Sequence, residues 1–358
     1  MPEVTAACQT LHDLGQSLWL DYITRSLLHN GGLETYLKKY AVTGLTSNPT
    51  IFAKAFKQGD YTAAIIAKRQ AGRSDEEIFF DLACEDLSAA AKVFRPIFQR
   101  SDGVDGWVSL EVSPLLVADA AATTQTAQQL FKQAGQPNLF IKIPGTAAGL
   151  SAIEACIFAG VPVNVTLLFS REQYLAAANA YQNGIERRVQ AGLNPHVASV
   201  ASVFVSRWDV AVSKKVPVHL RNKLGLATSQ QTYHAYCELL NTPRWLRLAN
   251  LGARPQRLLW ASTGSKDPQV SDLIYVEGLA APLTINTMPE ATLKALGDHG
   301  RPSTLMAPGG GDSEAQLAAF KQAGIDLQAL AKQLQDEGAA AFTASWAELM
   351  QEITSAGR

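Results

Sequence analysis

Asn138-Leu139-Phe140-Ile141-Lys142-Ile143-Pro144-Gly145-Thr146 sets one lysine among apolar residues and closes with a Pro-Gly turn. An apolar run bounded in this way reads as a short buried strand. Lysine is rarely buried without a partner, so here it is snorkelling, ion-paired or chemically used. Side chains alternate across a strand, which puts Phe140, Lys142 and Pro144 on one face and Ile141 and Ile143 on the other. The isoleucine face suits contact with helices, and the lysine face suits an enclosed interior. Burial favours the neutral amine, the form that attacks a carbonyl.

Working outward, similar runs recur. Leu18-Trp19-Leu20-Asp21, Ala41 to Thr46 and Gly106 to Pro114 precede the lysine strand. Pro162 to Leu168, Val197 to Phe204, Arg257 to Ser262 and Pro282 to Asn286 follow it. After the second run, Pro49 biases Asn48 away from helix and predicts a turn. Between the strands lie helical patterns over Thr24 to Lys39 (interrupted at Gly31-Gly32), Asp60 to Arg100, Asp119 to Ala134 and Ala147 to Ala159. Ser170 to Ala191 follows, with Ser170 as a cap, and Lys214 to Arg254 is mostly helical. Ser313 to the C-terminus predicts one or two helices broken near Gly338. Strands alternating with helices imply parallel pairing through helical crossovers. Eight such units predict an α/β fold, a single (β/α)8 barrel domain over 1–358. A lead-in (about 1–16) and C-terminal helices (about 313–358) would pack on that barrel. An open doubly wound sheet is the alternative.

Composition narrows the function. With 31 basic and 32 acidic residues the net charge is −1, so no global field favours nucleic acid or an anionic membrane. Cys8, Cys84, Cys156 and Cys237 are scattered, which argues against a zinc cluster or disulfide framework and fits a reducing compartment. No signal peptide and no membrane-spanning run are read, so a cytoplasmic protein is expected. A homodimer is left open.

In such a barrel the active site lies at the C-terminal ends of the strands. Asp21, Asn48, Glu111, Lys142, Asn164 with Thr166, Ser202 and Ser262 fall there. A lysine and two carboxylates at one mouth suggest proton transfer around a nucleophilic amine.

These residues carry a resemblance. Trp19-Leu20-Asp21, Gly44-Leu45-Thr46-Ser47-Asn48-Pro49-Thr50, Val108-Ser109-Leu110-Glu111-Val112 and Ile141-Lys142-Ile143-Pro144-Gly145-Thr146 resemble the signature stretches of the transaldolase family. Asn164 to Ser170 and Ser199 to Asp209 continue it in order. The match covers residues 17 to 210 well and runs more weakly to the C-terminus. It implies a Schiff-base transferase of the pentose phosphate pathway. Lys142 would attack the C2 ketone of fructose 6-phosphate or sedoheptulose 7-phosphate, and Asp21 would take the C4 hydroxyl proton. Glu111, through a water held with Thr166, would shuttle protons. Asn48 and Asn164 would hold the dihydroxyacetone hydroxyls, and Ser202 would contact the sugar. Arg207 matches the family's first phosphate arginine. Beyond Ser262 this chain reads Thr263-Gly264-Ser265-Lys266 where the family has an arginine nearby, so Lys266 is the expected stand-in. That pattern resembles a bacterial branch of the family with a longer chain. The lysine is its own electron sink, so no metal or organic cofactor is implied.

Two rivals stand beside this reading: an aldolase that releases dihydroxyacetone to water, and a silent barrel that binds sugar phosphates. A metal-dependent aldolase would need histidine and carboxylate ligands at the strand tips. Gly309-Gly310-Gly311 reads as a turn with Asp312 or Ser313 as helix cap rather than a phosphate cradle. Cys156 and Cys237 read as core thiols, Arg187-Arg188 as a solvated helix face, and Trp19, Trp107 and Trp260 as barrel packing.

Overall fold

A computed structural model describes residues 4–356. The first residues of the expected lead-in (1–3) and the last of the expected C-terminal helices (357 and 358) lie outside the described residues. The strands are β1 (Gln16–Asp21), β2 (Val42–Thr46), β3 (Val108–Glu111), β4 (Leu139–Pro144), β5 (Val163–Leu168), β6 (Ser199–Phe204), β7 (Arg257–Ala261) and β8 (Thr284–Met288). They pair in chain order into a closed barrel. All pairs are parallel, and β8 returns to β1. The chain is thus a (β/α)8 barrel, and an open sheet is excluded.

The alternation on β4 divides two cores. Ile141 and Ile143 join the layer between strands and helices. Phe140 joins Trp19, Trp107, Leu259 and Ile285 inside the barrel. Phe140 stacks on Trp107 with ring centroids 4.0 Å apart. Trp19 stands opposite Gly44 in register. A Cβ on Gly44 would come within 2.5 Å of that indole, so the ring needs glycine there. Trp260 packs in the outer layer instead. The aromatic plug fills the lower interior and leaves the strand tips to polar groups.

Several local expectations are corrected. Pro49 opens a helix, Pro49–Phe56, instead of closing a turn. Asn48 caps it by accepting from Ile51 N at 3.0 Å, and proline suits the first helical position because its missing N–H would be unpaired anyway. Helices at Ala6–Asp13, Ser206–Val212, Ile274–Gly278 and Glu290–His299 were not expected. The last strand starts and ends two residues later than its sequence pattern suggested.

The C-terminal helix Leu327–Ser355 runs unbroken through Gly338. The break falls earlier, at Gly324, whose φ is +85°. Mid-helix glycine is tolerated here because a Cβ on Gly338 would lie 2.8 Å from Leu167 Cδ2, which outweighs the ~1 kcal/mol propensity loss. Gly310 and Gly311 turn with positive φ before the helix Ser313–Gln322. Asp312 holds the N-cap position there without a side-chain cap bond. Arg188 is half-buried and donates to Phe158 O at 2.6 Å and Asn194 O at 2.7 Å, so only Arg187 faces solvent. Burial pushes the Cys156 thiol up to about 12, consistent with an inert core thiol. Among the described residues no helix is long and apolar enough to cross a membrane.

Candidate active site

A cavity of about 480 Å³ opens at the C-terminal ends of the strands. Asp21, Asn48, Lys142, Thr166, Ser202, Arg207, Ser262 and Lys266 line it. Glu111 and Asn164 do not; they sit behind that lining, on the strands flanking β4.

Register explains the chemistry at its floor. Lys142 pairs with Glu111 on β3 and with Asn164 on β5. Lys142 Nζ donates to Ser47 O at 2.9 Å and lies 3.0 Å from Glu111 Oε2, with side chains 6% and 5% exposed. The ammonium has three protons, so it can serve Ser47 O and the Glu111 carboxylate at once. Asp21 accepts from Thr46 Oγ1 at 2.6 Å, and Thr46 Oγ1 lies 2.6 Å from Thr287 Oγ1. Thr46 has one proton to give, so Thr287 donates in turn.

Burial raises the Asp21 pKa, opposed by the Lys142 charge and the Thr46 bond. Burial also raises Glu111, opposed by Lys142 and reinforced by the charge of Asp21. Both carboxylates are therefore more basic than usual and better proton acceptors near neutral pH.

Thr166 is fully buried, and its hydroxyl has no partner among the described residues. It is left free to bind ligand or water. The next residue, Leu167, has φ +57°. Asn164 accepts from Ser202 Oγ at 2.7 Å and donates to Ser109 Oγ at 3.2 Å. It holds Ser202 in the lining rather than presenting itself to the cavity.

The far side is built differently. Arg207 sits in the first turn of Ser206–Val212 with its guanidinium 5.3 Å from the Phe204 ring. Burial lowers its pKa, and Glu337 opposes that shift. Ser262 has φ +57°, and its hydroxyl lies 2.9 Å from Ser206 Oγ. Lys266 is exposed on the loop that follows. Neither Arg207 nor Lys266 forms an ion pair among the described residues. Together they can hold an anion.

Sequence reasoning did not assign Ser47, Thr46, Thr287, Lys54 or Phe342, all of which touch Lys142, Asp21 or the cavity. Lys54 lies on the helix hidden by the turn reading of Pro49. Thr287 lies one residue past the expected end of the last strand. Phe342 lies beyond the supposed break at Gly338. Among the described residues no group of three or more His, Cys, Asp or Glu side chains is placed to hold a metal ion.

Comparison with known proteins gives the family. Residues 18–353 match the family model described as Transaldolase/Fructose-6-phosphate aldolase. A transaldolase of Thermobifida fusca is 44% identical over 355 residues, covering 96% of each chain. One from Arthrobacter sp. is 42% identical, covering 99% of this chain and 98% of its own. One from Thiobacillus denitrificans is 42% identical, covering 95% of this chain and 97% of its own. A match of this extent over a barrel with a buried lysine–glutamate pair at its mouth leads to one conclusion: the chain belongs to the transaldolase/fructose-6-phosphate aldolase family.

Proposed function

We propose that this chain is a transaldolase that carries a dihydroxyacetone unit on Lys142 from a ketose phosphate to an aldose phosphate. The observation that supports it best is the buried Lys142 Nζ, 3.0 Å from Glu111 in a cavity shared with Asp21. Proton transfer from Nζ to the basic Glu111 carboxylate gives the free amine. The amine attacks the C2 carbonyl, and the carbinolamine loses water as Glu111 and Thr166 return the proton. Asp21 then takes the C4 hydroxyl proton, the C3–C4 bond breaks, and the aldose phosphate leaves. The C3–C4 electrons move into the protonated imine and leave an enamine on Lys142. An acceptor aldehyde captures its carbon, and Asp21 returns the proton to the new hydroxyl.

The Asn48 side-chain oxygen is engaged as a helix cap, so its NH2 is the group offered to a dihydroxyacetone hydroxyl. Asn164 acts at the same end through Ser202. Arg207, Ser262 and Lys266 take the phosphate. Lys266 does so as a point charge, without the bidentate fork of arginine. The iminium supplies the electron sink, so these steps need no metal or organic cofactor. The same reading makes one unit of residues 1–358, placed in the cytoplasm, with sugar phosphates as its partners.

The test is a turnover assay on fructose 6-phosphate with and without erythrose 4-phosphate. Acceptor-dependent formation of a seven-carbon ketose phosphate is expected. Equal consumption of fructose 6-phosphate in both arms would favour an aldolase, and no turnover a silent binder.

A further inference from the structure

Phe342 comes from neither the strands nor the loops that follow them. It lies on the helix Leu327–Ser355, where Gln335, Gly338, Phe342 and Ser345 recur at helical spacing and share one face. Contacts on both sides of Phe342 fix that face over the barrel mouth. Gln335 Nε2 donates to Leu167 O at 2.9 Å and to Gly145 O at 3.2 Å, just past Thr166 and at the end of β4. Gly338 packs so closely that a Cβ would lie 3.4 Å from Arg207 Nη1. Ser345 Oγ and Thr50 Oγ1 are 2.7 Å apart. Between these anchors the Phe342 side chain lines the cavity and is 5% exposed. Its ring centroid lies 6.0 Å from Lys142 Nζ.

That spacing fits an adduct on the lysine. The nucleophilic enamine carbon lies two bonds from Nζ, so extending beneath the ring it comes within about 3.5 Å of it, one van der Waals contact. Ring and carbon then touch with no water between them. We propose that Phe342 is a specificity-determining residue that shields the enamine on Lys142, so that an acceptor aldehyde, not a proton, captures it.

This rests on the Schiff-base reading of Lys142. In transfer, a C–C bond forms between the enamine carbon and the aldehyde carbon, and the aldehyde oxygen takes the proton held by Asp21. In the competing path, a proton from water forms a C–H bond at the enamine carbon. Water then adds to C2 of the resulting iminium, the C2–N bond breaks, and dihydroxyacetone leaves with Lys142 restored. Neither path needs an oxidant or reductant. The ring governs only whether water arrives.

The experiment compares the full-length wild type with Phe342→Ala and Phe342→Val. Each is given fructose 6-phosphate with erythrose 4-phosphate. Free dihydroxyacetone and transferred product are quantified, and the adduct on Lys142 is trapped with borohydride in parallel. A ratio of release to transfer about tenfold above wild type is expected for the alanine variant and about threefold for valine, with the adduct retained. A general loss of structure lowers both rates together and leaves the ratio alone, so the ratio reports shielding. Should the alanine variant fail to fold, the valine variant decides. A wild-type ratio in a variant that still forms the adduct overturns the shielding role. Absence of the adduct in the wild type overturns the Schiff-base reading instead.

Discussion

The two sides of the barrel mouth hold charge in opposite ways. Around Lys142, every charged group is buried and matched: Glu111 at 3.0 Å, Asp21 held by Thr46, and the amine also bonded to Ser47 O. Around Arg207 and Lys266, neither cation has an ion-pair partner among the described residues; Arg207 is half-buried with the Glu337 charge nearby, and Lys266 is open to solvent. Burial makes each charge on the first side expensive, shifts the carboxyls upward, and leaves little tolerance for losing a partner. On the second side exposure keeps Lys266 hydrated and screened, so it contributes modestly, while the half-buried Arg207 contributes more. On the proposed reading, bond making belongs to the first side and phosphate capture to the second. Their sensitivity to mutation should differ accordingly.

The largest effect is expected for Lys142→Ala. Turnover should fall by at least about 10⁴-fold, while circular dichroism shows a folded barrel. Substantial residual transfer would remove the buried side from the chemistry.

Asp21→Asn comes next. A drop in kcat of about 10²- to 10³-fold with KM little changed is expected, since the base acts in bond cleavage. The wild-type acid limb should lie above the ordinary carboxylate range, because burial raises this pKa, and the variant should lose that limb. The same substitution should stabilise the fold. A carboxyl whose pKa is higher folded than unfolded favours folding fully below its unfolded pKa and loses that contribution as pH rises through the folded value. At pH 7 to 8 ionised Asp21 is therefore a burden that asparagine removes. Thermal melts should show Asp21→Asn more stable than wild type there, with the gap closing toward pH 4. A variant less stable at pH 8 would show that the Lys142 and Thr46 contacts outweigh burial.

Arg207→Ala should act on KM, raising it about 10- to 100-fold, with a smaller change in kcat. Lys266→Ala should be the mildest, about two- to fivefold in KM and fading as salt is raised. If removing Lys266 matched removing Arg207, the two cations would act as one rigid clamp and the contrast between the sides would weaken.

The barrel was legible because each strand is a short apolar run closed by turn residues or a polar tip, and because the period-two alternation of β4 put Lys142 inside. Asp21, Glu111 and Thr166 were legible for the same reason, as polar residues at strand tips. What was not legible depends on tertiary distance. Gly338 looks like a helix breaker until Leu167 is seen against it. Pro49 looks like a turn until the Asn48 cap is seen to start a helix. The bonds of the Asn164 amide to Ser202 and Ser109 join residues on three different strands, which no local pattern links. Phe342 lies two hundred residues from Lys142 in the chain, and no local pattern links them.

Three lysines line the cavity: Lys54, Lys142 and Lys266. Only Lys142 is buried against a carboxylate. Incubating the protein with fructose 6-phosphate, reducing with borohydride and mapping the modified peptide by mass spectrometry distinguishes them. The structure predicts one adduct, on Lys142. An adduct on Lys54 or Lys266, or none at all, would contradict it.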